Sequence, residues 1–262
     1  MMNLRSTDVQ ERFPALSNES RSDRVSEKYS FLNTLNIADV LESQGWFPES
    51  VSQKNTKRNS KVNPNHTLHS VTFRRSDTTF DNMFKEEIPQ ITLVNSHDGT
   101  NALKFYMGLY RLVCSNGLVI PSGLNFESTI KHLGHTEKEV CELLRKATDS
   151  YNDVFKNIEL MKNRELEQPK AISYSKNCLK SRYKDKADSV SPFDLLLPLR
   201  KEDVGTSLWK RYNVVQEKLI NGGTMWNEKT KKRANIRKIK SIKNDIKLNT
   251  DLWKITERYL TS

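Results

Sequence analysis

With 262 residues, the chain is long enough for one large or two ordinary domains with a buried core. It carries 43 Lys and Arg residues against 32 Asp and Glu residues, a formal net charge of +11, and only 35% of its residues are apolar. It has no long apolar run, no apolar N-terminal centre and no CxxC spacing, which argues against a membrane span, a secretory signal and a disulfide framework; we expect a cytoplasmic protein.

The beginning of the chain predicts a tail followed by a short helix. Residues 1–30 are polar and show no sustained apolar period, so we predict a mobile tail. A helix is expected next, because Ile37, Val40 and Leu41 share one face and Gly45 is placed as a C-terminal cap.

Strands are predicted over the following part of the chain. The polar stretch 50–64 predicts an exposed loop or hairpin tip. We predict strands around Val71, over residues 88–95 and over residues 103–120, the last with a bulge at Gly108. An antiparallel sheet is the simplest assembly of these strands.

A long helix is predicted after the strands. Residues 136–139 have the capping-box pattern, in which Thr and Glu side chains satisfy backbone N–H groups at a helix start. Apolar side chains then recur every three or four residues up to Met161, which predicts a helix packed across the sheet. Residues 162–192 are basic and polar, and they predict a linker.

The C-terminal part predicts further helices. We expect a helix over residues 207–220, closed by the Gly222-Gly223 pair. Residues 229–247 predict a basic amphipathic helix, and a last helix is predicted near residues 251–260. The predicted fold is α+β: an antiparallel sheet carrying a long amphipathic helix over residues 31–165, then a basic, mainly helical region over residues 166–262.

The most distinctive sequence reads NSHDG at residues 95–99 and RLVCSNGL at residues 111–118. The dipeptides at 98–99 and 116–117 favour tight turns, since both tolerate a positive φ. The two motifs closely resemble the core of an uncharacterised family found in phages, plasmids and prophages, and the resemblance extends to residues 208–217 and 249–253. It implies a mobile-element setting and no assigned activity.

Four residues of this block can carry chemistry or recognition. His97 and Asp98 could form an acid–base or metal pair, but the favoured alternative is a β-turn with His97 hydrogen-bonded to the backbone. Cys114 is expected to be a small buried side chain rather than a nucleophile. Arg111 either pairs internally or faces a ligand, and both alternatives stay open.

No catalytic, metal or cofactor site is predicted elsewhere. The pairs His66/His69 and His132/His135 have a metal-like spacing but no third ligand in sequence, so we expect polar surface at both. No phosphate-binding loop or dinucleotide fingerprint is present. A binding protein without a cofactor is therefore favoured over an enzyme.

Basic side chains cluster in two segments. Residues 54–75 contain no Asp or Glu, and residues 229–258 carry eleven basic residues against three acidic ones. Such clusters favour phosphate contacts. We predict nucleic-acid contacts at Lys54, Lys57, Arg58, Lys61, Arg74, Arg75, Arg111, Lys232, Arg233, Arg237 and Lys240. Trp46, Phe47 and Phe73 could stack on bases, although core packing is the favoured alternative for them.

The predicted order of elements is similar to that of the Rad52-like single-strand annealing proteins, as a likeness of topology alone. Together with the basic charge, it predicts a protein of a phage or plasmid that binds single-stranded DNA in recombination or replication and forms a homo-oligomer. Two alternatives are a metal-dependent nuclease centred on His97 and Asp98, and a host-directed anti-defence protein that acts through contacts with a host defence or replication protein.

Overall fold

The computed structural model describes residues 2–27, 29, 31–56, 61–75, 87–111, 116–119, 128–130 and 137–261. The chain divides into two compact units, Met1–Tyr151 and Asn152–Ser262. This division falls within a long helix, and the domain boundary expected after residue 165 stays a prediction. The α+β class is confirmed.

The N-terminal unit contains an antiparallel sheet and helices. Its elements are α1 (Thr7–Arg12), α2 (Thr34–Ser43), β1 (Trp46–Gln53), β2 (His69–Arg75), β3 (Glu87–Asn95), β4 (Leu103–Arg111), β5 (Asn116–Val119), β6 (Ser128–Ile130) and α3 (Glu137–Asn163), which continues into the second unit. The strand order is β1-β2-β3-β4-β5, and β6 also pairs with β4. All these pairs are antiparallel, as expected from the strand pattern.

The two faces of this sheet differ in burial because side chains alternate along each strand. Phe73, Ile91 and Met107 lie side by side in register, and each is at most 2% exposed. The neighbouring row on the opposite face, Thr72, Thr92 and Tyr106, is half-buried. One face therefore forms the core of the unit.

Helices α2 and α3 were both predicted, and both are present. Asn33 caps α2, because its side-chain oxygen accepts hydrogen bonds from the N–H groups of Leu35 and Asn36. From α3, the Tyr151 hydroxyl donates to the Gly108 carbonyl oxygen at 3.0 Å, and the Tyr151 ring lies 6.0 Å from that of Trp46. Helix α3 thus packs on the sheet.

Residues 2–27 differ from the expected mobile tail. Leu4, Ala15 and Leu16 are at most 4% exposed, and the Met2 N–H donates to the Pro48 carbonyl oxygen at 3.0 Å. These apolar residues are too few and too irregularly spaced to form a sequence period. They nevertheless fill space in the core, so tertiary packing orders a segment that local pattern could not identify.

Two details of the strands also correct the predictions. The β3–β4 register runs without a shift through Gly108, and the irregularity lies instead between Pro48 and Ser50 of β1. Proline has no N–H to donate to a ladder, which explains the disruption there. Asn116 begins β5 opposite Arg111, so Asn116-Gly117 is not the turn, and the connecting residues 112–115 lie outside the described residues.

The C-terminal unit is mainly helical. Its elements after α3 are α4 (Gln168–Tyr183), α5 (Pro192–Leu195), α6 (Leu208–Asn221), β7 (Gly223–Asn227), β8 (Lys232–Ile236) and α7 (Ile242–Thr261). Its core includes Tyr212 and Trp253, whose rings meet edge to face at 5.6 Å. The hydroxyl groups of Tyr174 and Thr256 are hydrogen-bonded at 2.9 Å, which joins α4 to α7.

Helix α6 confirms the prediction over residues 207–220, since Ser207 caps its start and Gly222 ends it with a φ of 76°. The predicted linker is wrong: residues 168–183 form α4 and bury Ala171, Tyr174 and Cys178. Its exposed face is dense in Lys and Ser, which masks the apolar period in sequence. Burial also raises the pKa of the Cys178 thiol to about 12.

The predicted helix over residues 229–247 is wrong as well. These residues form the turn and second strand of a β7–β8 hairpin, then enter α7 at Ile242. The Asn227 side chain accepts hydrogen bonds from the N–H groups of Lys229 and Thr230, which stabilises a turn in place of a helix. The last predicted helix is present but begins earlier. None of the described helices is long and apolar enough to span a membrane.

Candidate nucleic-acid interface

The first basic cluster contributes two exposed lysines. Lys54 follows β1, and its backbone N–H donates to the Leu68 carbonyl oxygen at 2.8 Å, so its position is fixed by strand pairing. Lys61 lies in the connection to β2 and is also exposed. The predicted contacts Lys57 and Arg58 lie outside the described residues.

Arg74 and Arg75 lie at the end of β2 on opposite faces of the sheet. The Arg74 guanidinium forms an ion pair with Glu49, and it lies 3.9 Å from the ring centroid of Tyr110. The Arg75 guanidinium lies 5.6 Å from the ring of Trp46. Because Glu49 neutralises Arg74, this arginine attracts phosphate less than its charge alone suggests.

Arg111 does not join these residues at the surface. It is 3% exposed and stands directly opposite Glu87, which is 2% exposed, in the β3–β4 pair. A buried guanidinium beside a buried carboxylate favours the internal-pairing alternative over the ligand-facing one. In this conformation Arg111 does not reach a phosphate at the surface.

The second basic cluster lies on the β7–β8 hairpin and the chain that follows it. The structure brings the predicted contacts Lys232, Arg233, Arg237 and Lys240 onto this one segment, and all four are exposed. We define residues 229–243 as the basic hairpin segment. It contains no Asp or Glu. Its exposed cations are Lys229, Lys231, Lys232, Arg233, Arg237, Lys238, Lys240 and Lys243.

Hydrogen bonds from α5 and the preceding turn fix one edge of the hairpin. The Trp226 N–H donates to Asp194 Oδ2 at 2.7 Å, and the Glu228 N–H donates to the Ser189 carbonyl oxygen at 2.9 Å. Arg233 also approaches Asp194, at 3.7 Å between Nη2 and Oδ1. Strand β7 is held against the unit, so the basic side chains of β8 stand in defined positions.

The chain after β8 is anchored too. The Arg182 guanidinium donates to the carbonyl oxygens of Leu219 and Arg237, and the Ile239 N–H donates to the Ile220 carbonyl oxygen at 2.9 Å. A polyanion that binds here meets cations on an ordered backbone. Little conformational entropy is then lost on binding.

The hairpin was not predicted from the sequence, and neither were contacts at four cations of the basic hairpin segment: Lys229, Lys231, Lys238 and Lys243. The signal that could have found the hairpin is turn chemistry. Gly222-Gly223 precedes the β-prone run Thr224 to Trp226, and Asn227 favours a turn directly after it. The three-residue spacing of Ile236, Ile239 and Ile242 is typical of one face of a helix, and it favoured a helix over a turn followed by a strand.

The NSHDG block forms a bend that the Asp98 side chain closes. Asp98 Oδ1 accepts hydrogen bonds from the Thr100 N–H at 3.0 Å and from the Thr100 hydroxyl at 2.6 Å, and Gly99 has a φ of 73°. Burial raises the pKa of Asp98, but the hydrogen bonds from Thr100 outweigh burial and the net shift is downward. Asp98 therefore stays ionised and stabilises the turn.

His97 and His69 are both fully buried beside this turn. His97 Nε2 lies 3.0 Å from the Ala15 carbonyl oxygen, and the two imidazole rings are 5.1 Å apart. His69 Nε2 lies 2.8 Å from the Thr34 hydroxyl. Burial lowers the pKa of His69 to about 4, so this ring is neutral in the folded protein. Both side chains hold the N-terminal segment and α2 to the sheet.

The expectation of polar surface at the His66/His69 pair is wrong for His69, which is fully buried. His66 is half-buried, and its carbonyl oxygen accepts a hydrogen bond from the His97 N–H at 3.0 Å. His132, His135 and Cys114 lie outside the described residues. Across the part of the chain that the structure describes, no group of three or more His, Cys, Asp or Glu side chains is placed to hold a metal ion.

Comparison with known proteins gives a family and two relatives. The sequence profile of a family described as a domain of unknown function, DUF932, matches residues 22–253. Two Escherichia coli (strain K12) proteins, UPF0380 protein YafZ and UPF0380 protein YfjQ, are each 29% identical over 248 residues, which cover 95% of this chain and 88% of each relative. No solved structure matches this chain.

Proposed function

We propose that this chain, which belongs to the DUF932 family of domains of unknown function, is a nucleic-acid-binding protein of a mobile element such as a phage or plasmid. Single-stranded DNA, bound during recombination or replication, is the preferred ligand. The observation that supports the proposal is the basic hairpin segment, residues 229–243, with eight exposed cations and no acidic residue. Such a surface binds phosphates by displacing their counterions.

The position of the cations supports a strand-like ligand. Lys232 lies on β8, and Arg237 and Lys240 continue the basic run beyond it, whereas Arg233 points to the opposite face of the strand and approaches Asp194. A linear series of positive charges on a fixed backbone suits a linear series of negative charges. The first basic cluster, with Lys54 and Lys61 exposed, supplies additional positive charge on the N-terminal unit.

The architecture supports the recombination setting as an analogy. The N-terminal unit has an antiparallel sheet followed by a long helix, which is the order of elements on which the likeness to Rad52-like annealing proteins rests. Several linked copies along one strand would bind it with greater avidity than a single copy, so we propose homo-oligomer formation as part of the same function.

The proposal is tested by fluorescence anisotropy with labelled single-stranded and duplex DNA across a salt series, with and without magnesium. We expect tight, salt-dependent binding that favours the single strand and no cleavage. The variant Lys232→Glu/Lys240→Glu, at two exposed positions of the segment, should bind at least about tenfold more weakly, because two phosphate contacts become repulsive. The matched control is Lys176→Glu/Lys180→Glu, which reverses two exposed charges on α4.

Three outcomes decide between the proposal and its alternatives. Absence of binding at low salt contradicts nucleic-acid binding. Equal losses in the hairpin variant and the α4 control contradict the hairpin as the site. Magnesium-dependent cleavage that His97→Ala abolishes, in a variant shown to be folded, would support the nuclease alternative.

Exposed apolar side chains favour a second candidate, contact with another protein. Phe193, Leu197, Leu199 and Val204 are each between 54% and 62% exposed within a short stretch of chain. Large apolar side chains exposed together are typical of protein–protein contact surfaces. Sedimentation of Leu197→Ser/Leu199→Ser against the wild type tests self-association. Capture of a host protein that survives nuclease treatment, and that this variant loses, would support the host-directed alternative.

A further inference from the structure

Strand β8 lies at the edge of the small sheet of the C-terminal unit, which consists of β7 and β8. The other edge of this sheet, along β7, is occupied. The Trp226 N–H donates to Asp194 Oδ2 at 2.7 Å, and the Trp226 carbonyl oxygen accepts a hydrogen bond from the Ser191 N–H at 3.0 Å. Among the strands that the structure describes, none pairs with β8 on the side away from β7.

The register of the hairpin shows which backbone groups of β8 point outward. Opposite residues of an antiparallel pair alternate between those that exchange both backbone hydrogen bonds and those that exchange none. Because Trp226 uses its N–H and its carbonyl oxygen outside the hairpin, its pair with Arg233 is of the second kind. The pair of Thr224 with Asn235, two residues further along, is of the same kind. The N–H and C=O groups of Arg233 and Asn235 therefore point away from β7.

We define the β8 edge as these outward N–H and C=O groups of Arg233 and Asn235. Both residues are exposed, and no described residue outside the hairpin forms a backbone hydrogen bond with either of them. An edge of this kind can add one more strand, and the addition of an extended peptide to a sheet edge is a common mode of recognition. Since β8 has five residues, its edge suits a short extended segment.

Positive charge surrounds the β8 edge. The cations on β8 and directly beside it are all exposed: Lys231, Lys232, Arg233 and Arg237. Two carboxylates offset part of this charge, because Asp194 lies 3.7 Å from Arg233 and Glu228 lies 3.2 Å from Lys231. The remaining excess of positive charge favours an acidic partner.

Two other occupants fit this edge less well. A second copy of β8 would bring cations opposite cations, which destabilises a strand pair. The phosphates of a nucleic acid accept hydrogen bonds but donate none, so they leave the outward carbonyl oxygens of Arg233 and Asn235 without donors. An extended polypeptide offers N–H and C=O groups in alternation and can satisfy both kinds of group.

We propose that the β8 edge binds an extended, acidic segment of another protein, which adds a third strand to the hairpin. Hydrogen bonds to the backbone of Arg233 and Asn235 hold the segment, and its carboxylates meet the surrounding cations. The inference goes beyond the proposed function, because it concerns a protein partner and backbone groups that phosphate contacts do not use.

The test measures fluorescence anisotropy of labelled peptides of about ten residues, which are long enough to cover β8. The first peptide alternates Thr and Glu, and the second has the same side chains but ester bonds in place of its central amide bonds. Both carry the same charge, but the ester peptide lacks the central N–H donors. The amide peptide should bind at least about fivefold more tightly, because its N–H groups reach the outward carbonyl oxygens. A peptide that alternates Thr and Lys should not bind.

A protein variant tests the same contact from the other side. Asn235→Pro removes an outward N–H and should weaken binding of the amide peptide at least about fivefold. Proline is tolerated there, because this N–H takes no part in the β7–β8 ladder. Asn235→Thr keeps the N–H and should bind as the wild type does. The matched control is Thr224→Pro, directly opposite on β7, and circular dichroism shows that each variant is folded.

The outcomes separate strand addition from attraction by charge. Equal binding of the amide and ester peptides would overturn strand addition. Equal losses in Asn235→Pro and Thr224→Pro would overturn the β8 edge as its site. Absence of peptide binding would overturn the inference but not the proposed function, which the DNA titrations test separately.

Hydrogen exchange of the unaltered protein gives a second measurement, which does not depend on the folding of a variant. Saturation with the amide peptide should slow amide exchange within residues 232–236, because the N–H groups of Arg233 and Asn235 become hydrogen-bonded. Unchanged exchange in this segment of the saturated complex would overturn the inference.

Discussion

Asp194 Oδ2 accepts a hydrogen bond from the Trp226 backbone N–H at 2.7 Å, so a buried carboxylate of α5 fixes the first strand of the hairpin. Asp194→Ala removes the acceptor and leaves the N–H without this partner. We expect the free energy of unfolding to fall by about 1–3 kcal/mol, which is typical of an unsatisfied buried donor. Urea denaturation measures the change.

The matched control for this prediction is Asp188→Ala, which removes an exposed carboxylate from the preceding turn. It should leave the free energy of unfolding within about 0.5 kcal/mol of the wild type. DNA affinity should fall only in Asp194→Ala, because only that variant loosens the hairpin. Equal stability of the two variants would show that Asp194 does not anchor β7.

Gly222 permits the close approach of β8 to the end of α6. Its φ is 76°, and a Cβ atom placed there would lie 2.0 Å from the Ile236 carbonyl oxygen. Gly222→Ala should therefore destabilise the protein by more than about 3 kcal/mol, because the strain adds to a clash with backbone. Thermal unfolding followed by circular dichroism measures the loss.

Gly45 offers the control for Gly222, since its φ is 82° and nothing lies within 4 Å of a Cβ atom there. Gly45→Ala should lose only about 1 kcal/mol, the cost of the positive φ without a clash. Equal losses of stability in the two variants would show that the contact with Ile236 does not add to the destabilisation of Gly222→Ala.

Local pattern predicted the elements whose signal lies within a few residues. Alternation identified the strands around Val71 and over residues 88–95, and the three-to-four-residue period identified α3. Helix α4 was not predicted because the polar Ser175 lies on its buried face and lysines occupy the exposed face, so the apolar period is weak. The hairpin was not predicted because isoleucines that belong to β8 and to α7 have the spacing of one helical face.

The candidate site was predictable only in part, for a different reason. Counting charge located both basic segments, but it could not show which cations are already paired. Arg74 meets Glu49 from a neighbouring strand, and Arg111 is buried opposite Glu87. Both facts depend on strand register. The burial of Trp46 and Phe73, which favours core packing over base stacking for both rings, depends on register as well.

The stability of the N-terminal unit should depend on pH through His69. Burial lowers its pKa from 6.5 to about 4 in the folded protein, so between these values the unfolded chain binds a proton that the folded protein does not. Its contribution to stability is therefore present above about pH 6.5 and is lost as the pH falls toward 4. The expected loss is up to about 3 kcal/mol over this window.

Urea denaturation of the wild type and His69→Gln at several pH values tests this prediction. The variant should be less stable at neutral pH, because it loses the packing of the imidazole, and it should show a smaller decline as the pH falls. Other groups titrate in both proteins, so the difference between the two curves isolates His69. Parallel curves would contradict a neutral, buried His69.

The salt dependence of DNA binding should report the cations of the hairpin one at a time. Each phosphate contact on a single strand contributes about 0.7 to the slope of log affinity against log salt. Lys232→Ala, Arg237→Ala and Lys240→Ala, each at an exposed position of the basic hairpin segment, should each reduce the slope by up to about that amount. Lys176→Ala on α4 is the control and should leave the slope unchanged.

Arg111→Lys, at a buried position, should also leave the slope unchanged if the variant is folded, because the wild-type guanidinium does not reach the surface. A slope that fell equally in the hairpin variants and in Lys176→Ala would mean that net charge, and not the hairpin, governs binding.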